Sequence, residues 1–551
     1  MVDILFSSAD GRSREEFVPW WRNGLRTLFA SEFGAVNRLI PRWIFLRAMG
    51  LIYLSAFYSL LFQVRGLIGT DGILPARNYL LMIAQNAPGL ERFWYAPTLY
   101  WFASSSHAIL AFCWIGLIAS GLLVLNLWPR GMLVICFLCF LSFVSAAEDF
   151  SSYQSDGMLL EAGFICLFFA PPGWRPGWGA SHPPSRASLF LLQWEWLRIY
   201  FESGIVKLAS GDPQWRNYTA MDQYYQNGPL PTWIGWYLQH LPHGFHAFTV
   251  GATLVLELGL VWMILLPRRF RIGLFCLVTV WEIGVISSAN YAFLNYLVLS
   301  LGILLVDDSF LRRLWSFVTR RGGVSQPTSI AKPAVLSSEN VMPRHFRAMR
   351  LAVAVVLLTW IFYATSAELL RMLWRSVPLP GTPVVLLQPF RIANQYGLFA
   401  VMTRERYEIE FQGSNDGGKT WTAYPFRYKP QLLNDVPKIF APYQPRFDWN
   451  LWFASLDTWR DNAIVPNTDI RLLSNDASVL SLFAGNPFAQ APPKQVRAVL
   501  WQYWFTSMQE KRQTGHWWRR EFLGLYAPTL ELRDNGAVRV MEMPNAESPQ
   551  P

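Results

Sequence analysis

An apolar run at residues 187–208 is interrupted by Glu195, Arg198, Glu202 and Lys207. Spacings of three and four place Glu195, Arg198 and Glu202 on one face of a helix. A charge near the centre of a bilayer is costly, so this face points into a bundle and finds partners there. Two chemistries fit. Arg198 and Glu202 can pair within the helix as part of a purely structural ion network, or the charges can line a cavity that binds or transforms a ligand. Glu161, Glu257 and Glu282, from neighbouring apolar stretches, are candidates for the same polar interior. Lys207 lies five residues beyond Glu202, roughly 140° around an ideal helix, and need not belong to the stripe. A desolvated lysine can serve as a base; snorkelling, or pairing with Asp212, is the commoner fate of such a side chain.

Other chemistry-bearing patterns are sparser. The five cysteines lie in apolar runs, and Cys136 and Cys139 form a C-x-x-C inside MLVICFLCFLSFV, where core packing is expected rather than redox or metal chemistry. His240, His243 and His246 are spaced by three but have no further ligand motif beside them, and no metal is expected. No P-loop, dinucleotide fingerprint, zincin motif or nucleophile elbow occurs, so no cofactor is expected either. SNDGGKTW at 414–421 matches the Asp-box hairpin, in which Asp416 bonds the turn backbone and Trp421 packs beneath it; this is a structural element. Tyr443, Arg446, Trp449, Trp452 and Phe453 are an aromatic and arginine set of the kind that anchors protein partners, with core packing as the alternative for Trp449 and Trp452.

The elements that position these residues follow from composition. Of 551 residues, 52% are hydrophobic and 15% charged, against roughly 25% charged in ordinary soluble domains. Apolar segments near the bilayer-spanning length recur at about 43–63, 107–128, 131–148, 187–208, 246–266, 271–288, 290–306 and 349–369, with a shorter one at 158–171. The reading is a polytopic α-helical membrane bundle of about nine transmembrane helices, followed by a β-rich or α+β extracytoplasmic domain. The boundaries are a basic cytoplasmic segment 1–42 without the features of a cleavable signal peptide, a bundle 43–306, a cytoplasmic linker 307–348, a last span 349–369, an exterior domain 385–530 and a tail 531–551, disordered over MEMPNAESPQP at 541–551. With the N-terminus in the cytoplasm, Arg130, Arg175, Arg186, Arg268, Arg269, Arg271 and the arginines of 312–350 all fall on the cytoplasmic side. This distribution explains the +10 net charge as membrane orientation and argues against nucleic acid as a partner. In the exterior domain, RYEIEF at 406–411 alternates as a strand does, and TWTAYPFRY at 420–428 follows a glycine turn, which predicts a hairpin. Only seven of the 47 basic residues are lysine, which points to a GC-rich, bacterial genome.

Several long stretches together resemble the lipase maturation factor family. They include YQSDGMLLEAGF (153–164), GIVKLASGDPQWRNYTAMDQYYQNGPLPTWIGWYLQHLP (204–242), NQYGLFAVMTRERYEIEFQGSNDGGKTW (394–421), APYQPRFDWNLWFASL (441–456) and TGHWWRR (514–520). Ser155 and Tyr443 depart from the tryptophan and histidine expected at those places. The resemblance implies a multi-pass membrane protein, in the bacterial inner membrane or, in a eukaryote, the endoplasmic reticulum membrane. Its exterior domain would bind a secreted client, a lipase by resemblance, to help it fold and assemble. Lys207, Asp212 and Trp215 also look distantly like a motif in the transmembrane domain of the vitamin K-dependent gamma-carboxylase, where the matching lysine is a catalytic base. That resemblance implies an alternative, a membrane enzyme acting on a lipid or quinone-like substrate with Lys207 as base.

Overall fold

The computed structural model describes residues 20–319, 344–533 and 536–544. The first 19 residues of the N-terminal basic segment, the linker residues 320–343 and residues 534–535 and 545–551 of the expected tail lie outside them. Among the described residues, helices occupy every apolar stretch noted above: α1 (Leu39–Leu61), α2 (Ser106–Val124), α3 (Pro129–Val144), α4 (Gln154–Phe169), α5 (Arg186–Ala209), α6 (His243–Leu258), α7 (Arg268–Ser288), α8 (Leu294–Gly302) and α9 (Arg344–Leu373). Five of these, α1, α2, α6 with the 3-10 turn continuing it to Leu265, α7 and α9, are long and apolar enough to cross a bilayer. A sixth candidate is α8, which meets a helix at Asp308–Thr319 through a 107° bend. The others fall short for identifiable reasons: α3 and α4 have 16 residues each, and α5, with 24, carries the charged stripe.

Local sequence sets the helix starts. Ser105 and Ser185 cap α2 and α5 by accepting the amides of Ala108 and Ser188, and Pro129 opens α3 in the first turn, where its missing N–H costs nothing. At one end of the bundle, arginines bind the free carbonyls that terminate helices. Arg38 donates to Leu304 and Val306, Arg47 to Leu123 and Val124, and Arg130 to Ala170. Arg268 pairs with Asp307 at this same end. The charged helix α5 is central, packing against α4, α6, α8 and α9, which is why it tolerates the stripe.

The C-terminal region is an α+β domain. β1 (Arg406–Ser414), β2 (Thr422–Ala423), β3 (Gln495–Phe505), β4 (Trp518–Leu525), β5 (Thr529–Leu532) and β6 (Val538–Glu542) form one antiparallel sheet in the order β2-β1-β3-β5-β6, with β4 also on β3. Ile409 sits opposite Leu500 at the centre of the long β1–β3 ladder. The alternation of β1 divides it into an apolar face, Tyr407, Ile409 and Phe411, and a polar face, Arg406, Glu408, Glu410 and Gln412. Both faces are buried. The apolar one meets α10 (Arg446–Ala454), and the polar one is closed by the loop carrying Lys429 and Gln431, which bind Glu408 and Glu410. The expected hairpin forms, but its second strand is only β2, because the chain turns away after Ala423 to build that loop. Asp416 accepts the amides of Lys419 and Thr420 at 3.0 Å, and Gly417 and Gly418 take φ of 75° and 83°. The sheet runs past residue 530 into the expected tail: β6 pairs with β5 and carries on into Met541 and Glu542, the first two residues of the stretch read as disordered.

One buried group of this domain carries a pH signature. Asp469, on the helix Ile464–Leu473, is fully buried and neither carboxyl oxygen has a hydrogen-bond partner. Burial pushes its pKa well above the usual carboxylate range. The unfolded chain ionises near pH 3.9 while the folded one stays protonated, so stability falls as pH rises above that value. Asp469→Asn removes this dependence. Urea midpoints of the detergent-solubilised protein from pH 5 to pH 8 should fall more steeply for the parent than for the variant; parallel curves would contradict the assignment.

Candidate functional site

The buried charges of α5 belong to two clusters on different faces of the helix: Lys207 stands apart from the stripe, as its spacing allowed, and of the three carboxylates offered to one polar interior only Glu161 joins the stripe, while Glu257 and Glu282 lie on the Lys207 side. The first faces α4. Arg198 is bound tightly to Glu161 and lies 3.8 Å from Glu202, so its strong partner is on the neighbouring helix rather than within its own. Glu195 is also fully buried here, with no hydrogen-bond partner for either oxygen.

What this cluster holds is backbone. The segment after α9 returns into the end of the bundle before reaching β1. Glu161 accepts the Asn394 amide at 2.8 Å, Arg198 donates to the Asn394 carbonyl at 2.7 Å, and Glu202 accepts the Tyr396 amide at 2.6 Å. Gln154 accepts the Gly397 amide at 2.8 Å. Approach is close enough to require two glycines: a Cβ on Gly157 would lie 2.8 Å from the Asn394 side-chain oxygen, and one on Gly397 would lie 2.7 Å from Val206. Further along, Asp212 accepts the Met402 amide at 2.8 Å, Trp215 donates to Phe399, Asn227 donates to Thr403, and Arg406 donates to the carbonyls of Gln226, Gly228 and Pro229. Charge-assisted bonds to buried amides are among the stronger ones a protein makes. The stripe is thus a clamp that fixes the root of the sheet domain in the bundle.

The second cluster lies on the other side of α5. Lys207 donates to both oxygens of Glu257, at 2.9 and 2.8 Å, and to the Ser203 hydroxyl at 2.6 Å. Its partner is therefore Glu257 and not Asp212, because the side chain runs back toward Ser203 while Asp212 caps the next short helix and holds Met402. An ammonium held this way has no lone pair to offer as a base until its proton moves to Glu257. Glu282 accepts the Tyr200 hydroxyl at 2.5 Å and the Asn295 amide at 2.8 Å. Both pairs border a cavity of about 440 Å³ between α5, α6, α7 and α8, closed at the domain end by Trp215, Tyr224, Tyr396 and Phe399.

The exterior aromatic set is placed differently from a client surface. Arg446 is fully buried and makes two parallel bonds to Asp156, 2.7 and 2.8 Å, with a third to the Phe150 carbonyl. Trp449 and Trp452 are 7% and 8% exposed, Tyr443 is half-buried against Tyr428, and Phe453 remains exposed. Tyr443, Arg446 and Trp449 join the domain to the bundle through Gln63, Asp156 and Tyr153, and Trp452 is buried, so four of the five offer little to a partner in solution. Sequence reasoning missed Gln154, Asn394 and Asn290, which hold backbone across the same junction. Isolated amides give no periodic signal, and their partners are far away in the chain. His240, His243 and His246 do not converge: His240 contacts the carbonyls of Trp236 and Thr506, His243 contacts Asp222, and His246 is buried beside Tyr225.

A helical bundle with several bilayer-length helices, joined by the buried Asp156–Arg446 pair and by charge-assisted bonds to an α+β domain, defines an integral membrane protein with a fixed C-terminal module. Residues 40–313 match the family model for the lipase maturation factor transmembrane domain, and residues 392–528 match that for the lipase maturation factor C-terminal domain. Lipase maturation factor 1 of Bos taurus is 31% identical over 90% of this chain and 90% of its own length. Lipase maturation factor 2 of Gallus gallus is 30% identical over 90% of this chain and 82% of its own, and lipase maturation factor 1 of Homo sapiens is 30% identical over 90% and 88%. No solved structure matches the chain. The chain belongs to the lipase maturation factor family.

Proposed function

We propose that this protein is a membrane-embedded maturation factor for secreted proteins, lipases by relationship, and that its C-terminal domain meets the client on the extracytoplasmic side. One observation carries the choice between factor and enzyme: Glu161, Arg198 and Glu202 are engaged in holding Asn394 and Tyr396, and the candidate base Lys207 is held by Glu257 and Ser203, which leaves these groups unavailable to a reactant. Nine spans with a cytoplasmic N-terminus agree with the arginines gathered at the bundle end opposite the sheet domain. With Arg446, Trp449 and Trp452 buried, the client surface moves to Phe453 and to Phe522, Leu523, Val538 and Val540 along the margin formed by β4 and β6, all exposed.

The test is a strain lacking the gene, in which the specific activity per molecule of each secreted lipase or esterase is compared with the parent. Activity of the client should fall at unchanged transcript and return with the wild-type gene. It should also return with a Lys207→Met, Glu257→Leu double variant, which removes the ion pair without leaving a lone buried charge. A Phe522→Glu, Val540→Glu variant should fail to restore it. Protease added outside spheroplasts should cut the C-terminal domain. Unchanged activity of every lipase and esterase in the deletion strain would sink the lipase reading; loss in the Lys207 double variant alone would favour the enzyme.

A further inference from the structure

The cavity beside Lys207 is the feature of the bundle that the clamp does not explain. Successive helices α6 and α7 pack chiefly on other neighbours, α6 on α5 and α7 on α8, and share the 3-10 turn before Pro267. Toward the sheet domain they leave a lateral gap. On α7 its edge is Leu277, Val280 and Gly284, one helical face that is exposed on the outer surface of the bundle, with Val280 at 73%. Such a surface lies against acyl chains, so the cavity opens to the lipid phase rather than to water.

We propose that this cavity holds an uncharged, hydroxyl-bearing bilayer lipid of the glyceride or long-chain alcohol class, its head among Glu257, Glu282 and Tyr291 and its chain passing out between α6 and α7. The volume, about 440 Å³, and the mostly apolar lining with a few converging polar groups suit a small amphiphile. The polar groups decide the head. Lys207 and Glu257 neutralise one another, and Glu282 receives only the neutral donors Tyr200 and Asn295. No free cation is left on the inner wall to balance an anion, while the carboxyl oxygens of Glu257 and Glu282 keep unfilled acceptor sites. Phosphate and carboxylate heads find no counter-charge there, and a quinone, which only accepts, leaves the carboxyl acceptors of Glu257 and Glu282 unused. A hydroxyl donates to a carboxylate and accepts from the Tyr291 hydroxyl, which is buried on the cavity wall beside Tyr224. The site also touches the clamp: Tyr396 and Phe399 of the segment that roots the sheet domain form its roof.

The experiment uses the full-length protein in nanodiscs with two photoactivatable diazirine probes of equal chain length, a monoacylglycerol and a fatty acid, at a pH where the acid is ionised. The monoacylglycerol should label peptides of α6 and α7 saturably, and excess unlabelled monooleoylglycerol should compete, while the fatty acid labels these peptides about tenfold less at equal concentration. Gly284→Trp fills the gap, since a Cβ at Gly284 meets no atom within 4 Å, and should lower monoacylglycerol labelling about tenfold with the unfolding midpoint unchanged. Val280→Trp, at the mouth, provides a second obstruction should the first variant not fold. Labelling that does not saturate, equal labelling by the fatty acid, or full labelling of a folded obstructed variant would each overturn the proposal. If neither variant folds, the ratio between the two probes on the wild-type protein decides it.

Discussion

Replacing Arg446 with leucine is expected to destabilise the protein by about 3–5 kcal/mol, the usual consequence of removing one member of a buried ion pair. Asp156 stands in the first turn of α4, and Arg446 opens α10 of the sheet domain; neither side chain has measurable exposure. The guanidinium lies 4.8 Å from the Phe143 ring and 5.4 Å from that of Tyr153, so its removal also forfeits two cation–π contacts. The α4 amides still favour the Asp156 carboxylate through the helix dipole, which keeps the loss from growing further. Arg446→Lys retains the charge but loses the parallel pair of bonds and should fall between. A double Asp156→Leu, Arg446→Met variant should recover most of the loss, because the desolvation of two charges disappears with them. Denaturant midpoints in detergent measure the series. A single Arg446→Leu variant within about 0.5 kcal/mol of the parent would mean that the pair does not join bundle to domain.

The stripe on α5 was legible because period and burial are both local: three charges at helical spacing in an apolar run must face inward. Which groups they would meet was not legible. Tyr396 is 194 positions from Glu202 and Asn394 is 233 from Glu161, and a helical wheel carries no information about a loop that returns from the far end of the chain. The same limit explains Arg446, Trp449 and Trp452. Their types and spacing suit an exposed anchor and an internal joint equally, and only the position of Asp156 separates the two. β1 was readable from its alternation, whereas the exposed β6 was not, since a five-residue strand at a sheet margin is determined by its neighbour β5 more than by its own residues. Of the cavity, the sequence offered the polar groups Lys207, Glu257 and Glu282 but not the opening, which is made by the divergence of two helices that are each ordinary.

Arg198→Met should be the more damaging substitution, with a loss at or above the upper end of about 3–5 kcal/mol. It leaves Glu161, Glu195 and Glu202, each at 1% exposure or less, without the cation that two of them bind. Neutralising one carboxylate is milder. Glu202→Gln keeps a carbonyl oxygen for the Tyr396 amide and should cost about 1 kcal/mol. Adding Glu161→Leu to Arg198→Met should restore part of the stability, because one stranded charge goes with its partner. Hydrogen exchange distinguishes a clamp from a merely packed interior. The amides of Asn394, Tyr396 and Gly397 owe their protection to Glu161, Glu202 and Gln154, whereas the β1–β3 ladder is protected by its own bonds. Arg198→Met should therefore raise exchange across residues 391–403 with little change in β1 and β3. Uniform change throughout the domain, or none at 391–403, would contradict the assignment. A factor that presents one surface to a partly folded client benefits from a rigid root, and local release at this segment would lower client activity even where the sheet itself stays intact.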